Sequence, residues 1–436
     1  MQFIERQLTF TDNGHTIHHM QVFSPDDQWI VYDTRNDDTK IASTGSIEMV
    51  NVNTKEIVVL YKVSGQTDDG PGVGAVTFSP TANRVLFIHG IRNSNKLKPY
   101  SFTRRTGVAV DINRPNQPLF MDARNVLPPF TAGALRGGTH AHSWSGDGEW
   151  ISFTYNDYII EQLAKNDATF SDLRTVGVMV REKVDVPEDL DMENNPGHCF
   201  AAVVARVTDQ PSMGSDEINK AFDEGWIGHQ GYQRADGVWQ PKAIAFQGNV
   251  FNEVGKQITE IFVLDLPENI SVPADENDPL QGTAEKRPGV PKGVRQRRLT
   301  YTEKGVTGPR HWLRSTRKGD LIAFLSADAK GIVQVFGISP NGGVIKQLTN
   351  NPFSITGPFN FSPDDMYIAY PAENGVFITN WIEDETFCIT PKFSEQEKPV
   401  GAPVWSNSGA QIAYNRYVQQ KSGSFLQIFL LEINSL

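Results

Sequence analysis

Three histidines stand at one offset, five residues ahead of a recurring Ser or Thr: His19 before Ser24, His140 before Ser145 and His311 before Thr316. His142 follows His140 by two residues, and Gln21 holds the offset of His142 in the first of these stretches. Equivalent positions of a structural repeat lie at equivalent radii, so the spacing predicts that His19, His140 and His311 converge. Strand alternation would put His140 and His142 on one face. Neutral imidazole nitrogen suits a divalent transition ion such as manganese, iron, nickel or zinc, which makes His140, His142, His311 and Gln21 the metal-ligand candidates. Two other readings stand beside this one: a ligand-binding or catalytic role without a metal, and imidazoles that only bond water and neighbouring carbonyls. Arg136 and Arg310 flank the same histidines and could clamp a carboxylate through paired N–H bonds. Trp312 could stack on a sugar ring, and Arg104 and Arg105 could reach an acidic ligand, although arginines on a strand surface are the commoner case. His15, His18, His89, His198 and His229 have no counterpart at this offset and read as loop or core histidines.

The Ser or Thr that anchors this count belongs to a phrase repeated along the chain. It reads FSPDDQWIVY at 23–32, FSPTANRVLF at 78–87, WSGDGEWISF at 144–153, FSPDDMYIAY at 361–370 and WSNSGAQIAY at 405–414, with a looser copy, STRKGDLIAF, at 315–324. An aromatic residue, a Ser-Pro-Asp-Gly type turn and a run alternating toward the core describe a tight hairpin. Such hairpins at regular intervals mark an all-β propeller. A second phrase, RQLTF at 6–10, RRLTY at 297–301 and KQLTN at 346–350, reads as the outer strand of each preceding blade. The chain therefore opens on an outer strand, and 6–10 is expected to complete the last blade beside 425–433, closing the ring. The long gap between Ser145 and Thr316 must hold a degenerate repeat, which brings the count to seven blades. We expect one domain over 1–436, with an enlarged blade and a helix-bearing insertion at about 186–296. The helix is placed at 214–228, capped by Ser215 and ended by Gly225 or Gly228. The Pro-, Gly- and charge-rich stretch 267–296 reads as a surface loop.

Composition narrows the function classes. The net charge of −11 argues against nucleic acid as a partner. No apolar run is long enough for a transmembrane helix, so no membrane partner is expected. The first residues lack a basic start and an apolar stretch, and Cys199 and Cys388 offer no disulfide framework. A cytoplasmic location is expected, or a periplasmic one if a signal peptide has been removed, and a monomer. There is no phosphate-binding G-x-x-x-x-G-K-[ST], no G-x-S-x-G elbow, no H-E-x-x-H and no C-x-x-C.

Longer phrases carry a resemblance. LRGGTHAHSWS at 135–145, ISFTYND at 151–157, GSDEINKAFDEGW at 214–226, QRRLTYT at 296–302, PRHWLR at 309–314 and GIVQVFGISPNGG at 331–343 resemble the YidR-type family of TolB-like propellers over nearly the whole chain. That resemblance implies a fold with WD40-like repeats and leaves the activity open. More distantly, the repeats and the His-x-His phrase are similar to oligogalacturonate lyase. This resemblance implies a divalent cation, typically manganese, and β-elimination on a small acidic (uronate) oligosaccharide at the central channel. The Gln-x-x-His-x-His phrase of that family falls on Gly137, His140 and His142, so Gln21 or His19 would have to supply the missing ligand. β-Elimination also needs a base beside the carbon that loses its proton. His19 or a residue of Tyr155-Asn156-Asp157 would serve, with Tyr155 and Arg104 as further substrate contacts and Arg136 and Arg310 as the catalytic clamp. The alternative is a non-catalytic TolB-like propeller that binds a protein, peptide or sugar.

Overall fold

The computed structural model describes residues 2–18, 20–187 and 189–434. They form seven antiparallel sheets set as blades around a channel. The innermost strands are Val73–Phe78 in blade 2, Gly137–Trp144 in blade 3, Lys220–Trp226 in blade 4, Arg314–Ser315 in blade 5, Asn360–Phe361 in blade 6 and Pro399–Trp405 in blade 7. In blade 1 the inner position is taken by a segment bridged at Thr16–Asp33 and Phe23–Ile30.

The repeated phrase has a physical reason at each of its positions. Its Ser N–H donates across the turn to the first residue of the next strand, at 2.8 Å for Ser24 to Trp29, Ser145 to Trp150 and Ser362 to Tyr367. The Ser24 hydroxyl donates to Asp26 (2.5 Å) and accepts from Trp29 N–H (3.0 Å). Ser145 does the same with Asp147 and Trp150, and Ser362 with Asp364 and Tyr367. The position that alternates between Asp and Gly is left-handed, with φ of 58° at Asp27, 73° at Gly148, 64° at Asp365 and 75° at Gly409. Asp and Gly are among the residues that tolerate this region. Where Asp is chosen, it ties two blades together. Asp27 of blade 1 accepts from Asn407 N–H (2.8 Å), the Asn407 amide (2.8 Å) and Ser408 N–H (2.9 Å) of blade 7. Asp365 of blade 6 accepts from Arg317 N–H (2.6 Å) and Lys318 N–H (3.3 Å) of blade 5.

The ring closes as expected, through the first strand. Gln2–Gln7 pairs antiparallel with Gly423–Asn434, from Gln2 opposite Asn434 to Gln7 opposite Phe429. The strand begins earlier than 6–10 because Leu8 and Thr9 turn into the core, where the Thr9 hydroxyl accepts from Ile428 N–H at 2.9 Å.

The long gap corrects the sequence reading. Residues 214–228 hold no helix. Lys220–Trp226 is the inner strand of blade 4 and pairs with Ala243–Phe251. Burial of Ala221, Asp223 and Glu224 outweighs the local helical preference. Ser215 donates to the Ser212 carbonyl (2.7 Å) in a turn rather than capping a helix. A short hairpin, Tyr232–Gln233 with Trp239–Gln240, occupies the place of the turn phrase and hides the repeat. Phe200–Val203 is the outer strand of blade 3, so 186–296 is divided between two blades. Among the described residues the one α-helix is Tyr158–Ala164, capped by Asp157, which accepts from Ile160 N–H (3.0 Å).

The Asp27 carboxylate is expected to contribute substantially to the blade 1–blade 7 seam. Asp27→Gly keeps the left-handed backbone accessible but removes three charge-assisted acceptor contacts, and should cost about 2 kcal/mol in denaturant unfolding. Unchanged stability would show that the seam rests on strand pairing alone.

Candidate functional site

In an antiparallel blade the first and third strands start at the same end, which is called here the upper mouth of the channel. The inner strands share an irregularity on their way down. Register slips between Gly74 and Thr77, His140 and Ser143, Phe222 and Gly225, and Val400 and Val404. Ala75, Ala141, Asp223 and Gly401 carry the positive φ at these bulges. A bulge sets two residues against one, so the alternation that should place His140 and His142 on one face fails. His142 is buried between blades 2 and 3, where its Nε2 lies 2.9 Å from the Thr139 hydroxyl. A Cβ added at Gly107 of blade 2 would stand 2.8 Å from that nitrogen. The Thr139 proton goes to Asp122 (3.0 Å), so Nε2–H of His142 is the donor. His140 lies at the upper mouth instead, its ring 6.2 Å from that of Phe102.

The expected metal quartet does not assemble. His311 spends both ring nitrogens within the blade: Nε2 accepts from Leu325 N–H (2.9 Å), which leaves Nδ1–H to donate to the Pro309 carbonyl (2.9 Å). Gln21 faces the lower part of the channel, and His19 falls outside the described residues. No three His, Cys, Asp or Glu side chains among the described residues are grouped to hold a metal. The expected ligands His140, His142, His311 and Gln21 therefore do not come together as one donor set.

Three further candidates turn out to hold the scaffold together. Arg136 is 1% exposed, donates to Asp157 (2.9 Å) and grips the Thr283 and Lys286 carbonyls of the loop that covers blade 3. Arg104 is buried against Glu193 and Asn93, pinning a neighbouring loop. Tyr155 is buried with its hydroxyl on Asp157 (3.3 Å), and it lines a rim cavity of about 440 Å³ away from the channel. Each was plausible because arginines and tyrosines next to a functional strand can face either way, and each faces into the blades.

Arg310 and Trp312 do reach the channel. The Arg310 guanidinium lies 4.8 Å from the Trp312 ring and pairs with Asp223 (3.1 Å), while His18 meets Trp312 edge-on at 4.8 Å. Around them the upper mouth gathers further cations: Arg105, which the sequence offered beside Arg104, and Arg174 and Lys220, which sequence reasoning missed. Arg105 opens the third strand of blade 2, Arg174 precedes that of blade 3, and Lys220 opens the inner strand of blade 4. The ring of Phe102 stands 4.7 Å from the guanidinium of Arg105 and 5.3 Å from that of Arg174. Burial, followed by the charges of Arg105 and Arg174, holds the His140 imidazole far below its ordinary pKa, so it stays neutral. Burial and then the Arg105 and Arg310 charges lower Arg174, and burial and then Arg174 lower Lys220. These cations sit close enough to repel one another. A sequence signal existed: each stands at the start of a first or third strand, which in a propeller means the same mouth.

The lower channel is a cavity of about 360 Å³ with aromatic walls, including Trp144, Trp226, Trp312, Phe361 and Trp405. Glu224 lines it, accepting from the Thr154 hydroxyl (2.8 Å). Burial pushes its carboxyl up to about 7.

Comparison with known proteins agrees with this architecture. A family described as a protein of unknown function, DUF3748, matches residues 72–193. The protein YidR of Escherichia coli (strain K12) is 35% identical over 416 residues, which cover 94% of each chain. A structure of oligogalacturonate lyase in complex with manganese superposes with a TM-score of 0.56 at 10% identity, over 99% of this chain and 93% of that one. TolB from Acinetobacter baumannii gives a TM-score of 0.39 at 14% identity, over 95% and 83%.

Glu224 yields a prediction with a definite sign. Between the usual carboxylate range and about 7 the folded protein keeps a proton that the unfolded chain has released, so stability falls as pH rises through that window. Glu224→Gln keeps an acceptor for Thr154 and removes the slope. It should raise stability near pH 8 by roughly 3 kcal/mol, read as a higher melting temperature there and little change near pH 4. Parallel melting curves for the two proteins would contradict it.

Proposed function

We propose, for a chain that belongs to the family of the Escherichia coli protein YidR, that the upper mouth binds a small acidic saccharide and cleaves it by β-elimination. The observation that carries this reading is the gathering of Arg105, Arg174, Lys220 and Arg310 at one mouth of a protein whose net charge is −11. Such a concentration of like charge in a half-buried site calls for an anionic ligand. Phe102, 57% exposed, and Trp312 offer ring faces on which a sugar can stack.

β-Elimination removes the proton on the carbon alpha to a carboxylate and expels the oxygen on the next carbon. The carboxylate charge must be neutralised and the proton must find a base. His140 suits the second task. It is neutral, its Nδ1 has no hydrogen-bond partner among the described residues, and a bound carboxylate would offset the Arg105 and Arg174 charges that lower its basicity. Arg310 and Trp312 keep the roles expected of them, orienting the ligand. The shared fold with the protein named oligogalacturonate lyase supports the direction of this reading, and no step is assigned to a metal.

Trigalacturonate is the first substrate to test, with the ultraviolet absorbance of an unsaturated uronate as the signal. Product should form and should fall about 100-fold or more in His140→Ala. Binding without product would make the protein a non-catalytic propeller for acidic sugars. Neither binding nor product would remove this reading.

A further inference from the structure

We infer that the ligand carboxylate is neutralised by the guanidinium pair Arg105 and Arg174, so that the upper mouth works without a metal ion. This rests on the acidic-ligand reading above and adds the identity of the groups that take the charge.

Arg105 is 2% exposed. Its Nη1 donates to the Tyr100 hydroxyl (2.9 Å), while Nε and Nη2 are buried with no acceptor. Buried arginines elsewhere in the ring are held by carboxylates or carbonyls. Arg35 grips Asp33 and Asp38, Arg136 grips Asp157, and Arg124 donates to the carbonyls of Thr103, Gly137 and Glu193. An unmet pair of N–H groups on a buried cation is therefore an exception that calls for a partner from outside the chain. Arg174 has neither an ion pair nor a side-chain hydrogen bond among the described residues, and it lies near the same Phe102 ring as Arg105. Two guanidinium forks near one partly exposed ring suit a carboxylate that displaces or slides along that ring.

The same charges disfavour a cation. Arg105, Arg174 and Arg310 all act on His140, so a divalent ion bound there would meet three positive neighbours at short range. Of the other expected imidazole ligands among the described residues, His311 has both ring nitrogens on Pro309 and Leu325, and His142 has its Nε2 on Thr139. Guanidinium can supply the same charge with directional N–H donors and no ion to lose.

The experiment is calorimetric titration of the full chain with trigalacturonate, in chelator and again with added manganese. It is run for the parent protein, Arg105→Gln and Arg174→Gln, with a melting curve for each. Binding that is unaffected by chelator, and weakened at least about tenfold in Arg174→Gln with an unchanged melting temperature, is the expected result. The half-buried Arg174 serves as the decisive variant should Arg105→Gln unfold. Binding that vanishes in chelator and returns with manganese would overturn the inference while leaving the acidic-ligand reading intact. Chelator-resistant binding that survives both substitutions would also overturn it. No binding under any condition would refute the acidic-ligand reading and this inference with it.

Discussion

The left-handed residue in the inner strands decides what faces the channel. A regular strand would present every second side chain to the axis, and His140 would share its face with His142. The bulges at Ala75, Ala141 and Asp223 divide each strand into an upper part that serves the mouth and a lower part that serves the blade interfaces. His140 falls on the first side of that division, and His142 and Glu224 fall on the second, bonded to Thr139 and Thr154. A neighbouring blade helps to hold one bulge in place, since Asp33 of blade 1 accepts the Ala75 N–H of blade 2 at 2.8 Å. Positive φ at a residue with a Cβ is uncommon and persists only where the surroundings fix it.

That constraint explains why the ring contains so many buried ions away from its mouth. Asp33, Asp122, Arg35, Arg124 and Arg136 are buried and meet backbone amides or carbonyls, one each for Asp122 and Arg35 and two or more for Asp33, Arg124 and Arg136. Asp122 alone accepts from Thr106, Gly107 N–H and Thr139. Satisfied networks of this sort fix geometry more than they add net stability. Against that background Arg105, with two donors unmet among the described residues, and Arg174, with no ion pair there, are functional groups held in a rigid frame.

How much of this could be read from residues alone follows from the same physics. The hairpin phrase was legible because its Ser, Asp and Gly each do a local job that only those residue types do well. Blade 4 was hidden because the hairpin at 232–240 replaced the phrase, and because Asp216, Glu217 and Lys220 favour a helix in isolation. Arg310 and Trp312 were named because they flank His311, and the structure brings the two side chains together beside Asp223. The roles of His142 and His311 were not legible, since a bulge and a hydrogen bond to Leu325 N–H leave no local mark in sequence. Arg174, just ahead of the third strand of blade 3, was missed because only the folded ring brings it and Arg105 to the same Phe102 ring.

The pairing of Gln2–Gln7 with Gly423–Asn434 has a consequence for the order of events during synthesis. Of these two segments, Gln2–Gln7 is made before its partner and waits while the blades between them are made, so for that interval it is an unpaired edge able to pair with the wrong neighbour. Joining the two segments closes a loop that spans nearly all the described residues, and contacts of such long sequence separation form slowly. The seam between blades 7 and 1 is thus the last part to lock. Until it does, the channel has a gap in its wall, and Arg105, Arg174 and Arg310 have no fixed mouth to share.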